Sequence, residues 1–479
     1  MNEKNKKRVP RKITLIESIL LLIVFVIIMI WTALIAKAPT AMGVLYCAVV
    51  CGVYGVYLGH GWDDLFSNVY KVAQTAMPAL YFLMLTGFVS AAWIASGTIP
   101  YMIYLGLGII KPTIFLFSAF LMTAAAAMVT GTSWGILTSL GLALGGIATG
   151  LGIPLPMAAG AIVSGCFLGD KWSPLSDTPN LAAASTGQNI IKLFTSMIPT
   201  AGGGAVIAGI IYLVMGFMLP QSGGASIGEI TALRDGLAAS FDFNILLLIP
   251  IVFVFVFAAL KYPALPVLFI GVILGMGEAM IFQGVGFKEI TGIVWTGYKS
   301  ATGNVVIDSL LSRGGCMSLA GLVMLLFAAF TFAGLLEKIG VLDTIMEKLL
   351  NRVKSQGALV LCNVLTSMAT VLLSSSVYVS IILNGRMYDK AYRKMGLDKV
   401  CLSRTLSEGA AHYGGLVPWS GGGVLVISTL GVLPWSYVPF AFAAWAGTLL
   451  TVIFAYMNIF MPKAEYDENL ELVDEGIAA

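Results

Sequence analysis

The chain has 479 residues, of which 58% are hydrophobic and 11% are charged, and its mean hydropathy is +0.92. Because about 25% of the residues of a soluble globular protein are charged, this composition excludes a water-soluble globular fold. It predicts an all-α polytopic membrane protein surrounded by lipid. A net charge of +3 and only two histidines indicate neither a nucleic-acid partner nor a histidine-based metal centre, and we expect no cofactor.

Uncharged apolar runs of about 18 residues or more are typical of membrane-spanning helices. Six basic residues within residues 1–12 place the N-terminus in the cytoplasm by the positive-inside rule. The first half of the membrane region, residues 13–219, then combines apolar spans with one mixed segment and one long charge-free stretch. Its elements are predicted at 13–36, 39–59, 60–76 (mixed), 77–97, 98–111, 112–169 and 190–219.

The second half, residues 243–461, repeats the order of element types after a predicted extracytoplasmic loop at 220–242. Tyr298-Lys299 matches Tyr70-Lys71 at an offset of 228 residues (298 − 70). The elements of this half are predicted at 243–260, 263–282, 285–302 (mixed), 316–336, 337–354 (amphipathic), 357–384, 405–430 and 438–461.

The distribution of basic residues predicts that the two halves are inserted with opposite orientation. The loop 385–404 holds six Lys or Arg residues, whereas its counterpart at 141–153 holds none. Inverted repeats predict a site near the membrane midplane and alternating access. We expect a bacterial-type cytoplasmic membrane, with the acidic tail 462–479 also in the cytoplasm. A homodimer is one assembly compatible with such a chain.

A dense polar cluster, GDKWSPLSDTPN, occupies residues 169–180, directly after the charge-free run. Pro174 and Pro179 cannot continue a helix and Gly169 adds backbone freedom, so this segment is predicted to be an unwound break inside the protein. Its oxygen atoms suit a hard cation such as Na⁺. The candidate ligands are Asp170, Ser173, Ser176, Asp177, Thr178 and Asn180.

The two carboxylates of this cluster differ in their neighbours. Lys171 is a charge partner next to Asp170, whereas Asp177 has no adjacent basic residue. A charge at the bilayer centre costs about 2.5–3.5 kcal/mol, so a bound cation or proton is a natural neutraliser. One carboxyl can hold Na⁺ or H⁺ but not both, which is the minimum requirement for exchange. The alternative interpretation is a cytoplasmic loop in which Ser176 and Asp177 cap a helix.

Two further polar interruptions lie at corresponding places in the two halves, VTGTSWG at 129–135 and LLSSSVY at 372–378. As matched breaks they indicate a transport site, and as single residues their hydroxyls can equally bond to carbonyls of their own helices. The candidate ligands are Thr130, Thr132, Ser133, Ser374, Ser375 and Ser376.

The segment SEGAAHYGGLVPWSGGG at 407–423 is the second half's counterpart of the polar cluster. Glu408 supplies its carboxylate, at an offset of 238 residues from Asp170 (408 − 170). His412 titrates near neutrality and is a candidate pH sensor, with a structural role as the alternative. For Asn363, Glu278 and Arg313, packing or boundary positions are the simpler interpretation.

GDKWSPLSDTPNLA (169–182) resembles the GDK-x-SPLSDTTNLA signature of the NhaC-type Na⁺/H⁺ antiporters. TGTSWG and the stretch 380–406 are also similar to that family, and the resemblance covers most of the chain. It implies a secondary antiporter of the ion-transporter superfamily, with inverted repeats, paired broken or re-entrant hairpins and elevator-type movement. It also implies an ion site containing Asp170, Ser173, Ser176, Asp177 and Thr178.

The second half departs from the family pattern. Residues 407–411 read SEGAA in place of an acidic-Asp-Ser-Gly-Thr run, Ser420 follows Pro-Trp where the family has Asn, and three glycines follow at 421–423. In the first motif, Pro179 replaces a threonine. Since relatives of this family exchange malate and lactate, these changes predict a roomier site that could take an organic solute.

Two functions follow from these observations. The first is a sodium/proton antiporter that exchanges Na⁺ for H⁺, with Asp170 or Asp177 as the shared site. The second is a Na⁺-coupled transporter or exchanger of an organic acid or amino acid. Without the phosphate-loop, zinc-protease or nucleophile-elbow motifs, the sequence does not indicate an enzyme. Two distinct half-sites also fit a channel poorly.

Overall fold

The computed structural model describes residues 10–464, with gaps at 110, 174–175, 220–226, 261, 305–306, 309–310 and 351–352. The side chains of some helical residues, Thr130 among them, also lie outside this description. Within the described residues, seven helices are long and apolar enough to cross a membrane, and three bent helix pairs raise the number of spans to as many as ten. The chain is therefore a multi-pass helical membrane protein, as its composition predicts.

In the described part of the chain, eleven α-helices precede the predicted loop between the halves. They are α1 (Leu15–Ile30), α2 (Thr40–Tyr57), α3 (Trp62–Ala95), α4 (Thr98–Ile109), α5 (Pro112–Thr130), α6 (Ser133–Ile136), α7 (Leu142–Gly150), α8 (Leu155–Lys171), α9 (Asp177–Thr186), α10 (Ile190–Met197) and α11 (Gly203–Met218). A π-helical turn, Leu137–Gly141, joins α6 to α7, so that Ser133–Gly150 forms one 18-residue span.

The later helices begin within that loop. They are α12 (Ile227–Ser240), α13 (Ile249–Ala259), α14 (Ala264–Phe282), α15 (Phe287–Thr296), α16 (Ala320–Ile339), α17 (Val341–Leu350), α18 (Gln356–Ser374), α19 (Val377–Lys394), α20 (Lys399–Leu406), α21 (Gly421–Leu430), α22 (Pro434–Tyr437) and α23 (Phe442–Met457). Between α20 and α21 lie a π-helical turn, Ser407–Ala411, and a 3₁₀ turn, His412–Gly415.

The mixed segment 60–76 and the span 77–97 are not separate elements, because both belong to the 34-residue helix α3. Asp63 and Asp64 lie in its first turn, where acidic side chains interact favourably with the helix dipole. The helix ends before Gly97, whose φ of 88° suits a residue without Cβ, and the chain bends by 74° into α4.

Two glycines of α8 allow it to pack closely against α5. A Cβ at Gly165 would lie 2.3 Å from the carbonyl oxygen of Phe120, and a Cβ at Gly169 would lie 2.0 Å from that of Ala124. Small residues spaced by four allow such close approach of helix backbones in membranes. Gly169 therefore serves helix packing inside α8, and the prediction that it loosens the backbone at the break is wrong.

Candidate functional site

The polar cluster contains the break that its sequence predicts. Helix α8 ends at Lys171 and α9 begins at Asp177, with Ser176 as the N-cap that accepts a hydrogen bond from the backbone N–H of Thr178 at 3.3 Å. Pro174 lies outside the described residues. Pro179 is the third residue of α9 and does not cause the break, because the first N–H groups of a helix have no carbonyl partner within it.

Asp170 lies in the last turn of α8, is 6% exposed and accepts hydrogen bonds on both carboxylate oxygens. The backbone N–H of Ser133 donates to Oδ1 at 3.0 Å, and the hydroxyl of Thr178 donates to Oδ2 at 3.0 Å. None of the ion pairs in the described part of the chain includes Asp170. Hydrogen-bond donors from other elements, the hydroxyl of Ser176 among them, therefore stabilise its charge, and no basic side chain in the described part of the chain pairs with it.

The break between α5 and α6, residues 130–133, supplies one of these donors; we call it the first break. Gly131 is left-handed with φ of 71°, and Thr132 is the N-cap, accepting from the N–H of Gly135 at 3.1 Å. Ser133 follows as the first residue of α6, where a backbone N–H has no partner within the helix. The break therefore leaves the backbone N–H of Ser133 free to donate to Asp170.

The break between α18 and α19, residues 374–377, has the same backbone form; we call it the second break. Ser375 is left-handed with φ of 59°, and Ser376 is the N-cap, accepting from the N–H of Val379 at 3.3 Å. The hydroxyl of Ser374 accepts from the N–H of Ser376, and that of Ser375 is buried without a partner among the described residues.

The remaining predicted ligands of the cluster lie around Asp170 to different degrees. Ser173 is fully buried beside the end of α8. Asn180 donates to the carbonyl of Ser176 at 2.7 Å and stabilises the start of α9. Asp177 is exposed at the first position of that helix. Helix α9 packs against α19, a helix of the second half.

Lys171 does not pair with its neighbour Asp170, which corrects the sequence prediction. Its ammonium donates to Oε2 of Glu408 at 2.7 Å, and both side chains are 0% exposed. The two neighbouring side chains thus contact different elements: Asp170 accepts from α6 and α9, and Lys171 donates to the second half. The only described ion pair that joins the polar cluster to the 407–423 segment is therefore Lys171–Glu408.

His412 contacts the same ammonium, with its Nδ1 2.9 Å from Nζ of Lys171. Because an ammonium has only donors, this contact makes Nδ1 an acceptor and assigns the proton of a neutral ring to Nε2. Nε2 is buried and has no partner among the described residues. The role of His412 as a pH sensor stays a prediction.

Three contacts of this region are absent from the sequence prediction. Thr200 donates to Oε1 of Glu408 at 3.0 Å from a π-helical turn, Ile198–Gly202. A Cβ at Gly447 would lie 2.8 Å from Oε2 of Glu408, so this glycine lets the carboxylate lie against α23. The third contact is the amide of Ser133. The contact of Thr200 has a signal in the sequence, because the run Ile198–Gly203 places one proline and two glycines within an apolar span.

The glycines after Ser420 have a different role from the one predicted. A Cβ at Gly422 would lie 2.4 Å from the carbonyl oxygen of Gly414, and one at Gly423 would lie 1.8 Å from that of Val417. These two glycines bring α21 into contact with the preceding backbone. The prediction that they make the site roomier is therefore wrong.

Membrane-crossing helices that are interrupted beside buried charged residues are typical of multi-pass membrane transporters. The sequence profile of the Na⁺/H⁺ antiporter family matches residues 165–459. The chain belongs to this family, which confirms the resemblance to NhaC-type antiporters.

Three relatives show how the family varies. The chain is 32% identical to the Na⁺/H⁺ antiporter NhaC of Alkalihalophilus pseudofirmus over 95% of its own length and 98% of the relative. It is 32% identical to the malate-2H⁺/Na⁺-lactate antiporter of Bacillus subtilis, over 94% and 96%. It is 34% identical to the arginine/ornithine antiporter ArcD of Halobacterium salinarum, over 91% and 90%. All three are antiporters.

Proposed function

We propose that the chain exchanges Na⁺ for H⁺ across the cytoplasmic membrane, and that Asp170 binds the two cations alternately. The observation that carries this proposal is a buried carboxylate with hydrogen-bond donors and no basic partner in the described part of the chain. A proton on one oxygen removes the charge that attracts Na⁺, so the two cations compete for one group. The hydroxyls of Ser173, Ser176 and Thr178 supply hard oxygen atoms beside it.

Alternating access is the mechanism that we propose for this exchange. Each of the two breaks has one left-handed residue followed by an N-cap with extended backbone, and they lie 244 residues apart (375 − 131). This likeness supports a pair of structural repeats at 13–219 and 243–461. In such transporters the site lies between the repeats, and one repeat or bundle moves against the other. Both termini in the cytoplasm, and elevator-type movement, are part of the same proposal.

The test is exchange by the purified protein in liposomes that contain a pH-sensitive dye. An imposed Na⁺ gradient should change the internal pH with the wild type, and Asp170→Asn should abolish the change, since an amide carries no charge. Asp389→Asn is the matched control, because Asp389 is partly exposed in an i,i+4 pair with Arg393. Loss of exchange in the control, or its retention in Asp170→Asn, would contradict the assignment of Asp170.

The assignment of Asp177 needs its own measurement, because this residue is exposed at the first position of α9 and it is the next residue, Thr178, that donates to Asp170. If Asp177 is a ligand, Asp177→Asn raises the Na⁺ concentration for half-maximal exchange. If the variant exchanges as the wild type does, Asp170 is the sole carboxylate ligand from this cluster.

The second candidate is exchange of an organic acid or amino acid coupled to Na⁺. It is favoured by the malate/lactate and arginine/ornithine antiporters among the relatives, at 32% and 34% identity. Uptake of labelled malate, lactate, arginine or ornithine into liposomes preloaded with the unlabelled compound tests it. Uptake that requires Na⁺ supports this candidate, and no uptake above empty liposomes excludes these four solutes.

A further inference from the structure

Asp170 and Lys171 are adjacent, buried and oppositely charged, and yet they do not neutralise each other. Asp170 accepts from Ser133 and Thr178, whereas Lys171 donates to Glu408. A lysine has a flexible four-carbon stem and three rotatable donors, so its ammonium can take more than one direction from the same backbone position. In the structure the ammonium points toward Glu408, which belongs to the other half of the chain.

Glu408 is itself fixed from two further elements. Its Oε1 accepts from Thr200, and its Oε2 lies against the backbone at Gly447, where a Cβ would come within 2.8 Å. Both carboxylate oxygens are thus engaged, one by a hydroxyl and one by the ammonium. The sequence predicts Glu408 as a cation ligand from the second half, but in the structure its carboxylate already binds the ammonium of Lys171.

We propose that Glu408 is a positioning residue, which holds the ammonium of Lys171 away from Asp170 and so leaves Asp170 available to an external cation. The inference rests on the proposed function of Asp170. A buried charge that loses its partner is strongly unfavourable. Without Glu408 the ammonium keeps only Nδ1 of His412 as an acceptor and has no carboxylate partner, and the nearest carboxylate along the same helix is that of Asp170. An ammonium paired with Asp170 takes the place of Na⁺.

Glu408→Gln removes the carboxylate and keeps the shape of the side chain. It should raise the Na⁺ concentration for half-maximal exchange about tenfold or more, while the maximal rate falls less. Adding Lys171→Met to this variant removes the competing ammonium, so the double variant should return to within about threefold of the wild-type value. Glu278→Gln is the matched control, because Glu278 is a buried glutamate of α14 outside these contacts, and it should leave the Na⁺ dependence unchanged.

Binding of ²²Na⁺ to the purified variants separates this inference from a structural role, with gel filtration to show that each variant is folded. If the pair only stabilises the fold, or if Glu408 is itself a Na⁺ ligand, the double variant binds Na⁺ no better than Glu408→Gln, and the inference is overturned. If Glu408→Gln cannot be purified, the double variant decides alone: near wild-type binding supports the inference, and a loss of about tenfold or more overturns it.

Asp170→Asn in the same assays distinguishes failure of the proposed function of Asp170 from failure of the positioning role of Glu408. If it binds and exchanges Na⁺ as the wild type does, the proposed function fails whatever the Glu408 variants show. If it abolishes Na⁺ binding while Glu408→Gln leaves the half-maximal concentration unchanged, only the positioning role of Glu408 fails.

Discussion

The first and second breaks have nearly the same backbone but different surroundings. Each has a left-handed residue, Gly131 or Ser375, followed by an extended N-cap, Thr132 or Ser376. At the first break, the next amide donates to a buried carboxylate from another helix. At the second, the serine hydroxyls contact the backbone of the break itself or remain unpaired within the described chain.

The difference shows that a helix break alone does not make an ion site. Any break exposes amides at the start of the following helix, but only the first is joined to a carboxylate, because α8 packs closely enough on α5 to bring Asp170 there. The chemistry therefore depends on packing between helices, and the break determines only which donors are free.

Among changes at the two breaks, the largest expected effect comes from removing the backbone N–H of Ser133. Ser133→Pro should raise the half-maximal Na⁺ concentration about tenfold or more, because a hydrogen bond to a charged group contributes about 1.5–3 kcal/mol. Proline is well accepted at the first position of a helix, and the φ of −144° and ψ of 110° at Thr132 suit the residue before a proline. The measurement is Na⁺-driven exchange in liposomes.

Val377→Pro makes the same change at the second break, after a residue with φ of −133° and ψ of 122°. It should leave the half-maximal Na⁺ concentration within about twofold of the wild type. Equal losses in both variants would show that proline disturbs either helix start and would remove the distinction between the breaks. Ser133→Ala, which keeps the amide, separates the contribution of the hydroxyl.

A smaller effect, of opposite sign at the two breaks, follows from exchanging their left-handed residues. Gly131→Ser places a Cβ in the left-handed region and should destabilise the protein by about 1–2 kcal/mol. Ser375→Gly relieves that strain and removes a buried unpaired hydroxyl, so it should stabilise by about 1 kcal/mol after the entropy cost of glycine. Thermal melting in detergent measures both, and a loss of stability in Ser375→Gly would contradict the shared backbone argument.

The smallest effect is expected at the N-caps. Thr132→Ala and Ser376→Ala each remove a side-chain acceptor for a backbone N–H and should destabilise by about 1 kcal/mol or less. Melting temperatures lowered by similar amounts would support equivalent capping at the two breaks. A much larger loss for Thr132→Ala would indicate that its side chain has a role beyond capping.

The sequence predicts the positions of the first break, the second break and the break at 172–176, because clusters of Ser, Thr and Asp interrupt apolar runs that otherwise lack charged residues. It also predicts the helical membrane class and the family. The cause of the break at 172–176 is only partly predicted, since Pro179 lies within α9 and Gly169 packs against α5. These two residues are strong local signals whose roles are determined by tertiary contacts.

The pairing of Lys171 could not be predicted from the sequence. Adjacency suggests Asp170 as its partner, whereas the observed partner is 237 residues away. Thr200 and Gly447 contact the same carboxylate from two other elements. Such contacts depend on how the two halves pack together, and an internal similarity as weak as this one does not reveal the register of that packing.

The ion pair between Lys171 and Glu408 also has a consequence for biogenesis. A ribosome completes α8 long before it reaches residue 408, so Lys171 is synthesised 237 residues ahead of its carboxylate partner. A dehydrated ammonium without a partner is unfavourable inside a membrane. We therefore expect the packing around Lys171 to be completed only after the second half has been inserted.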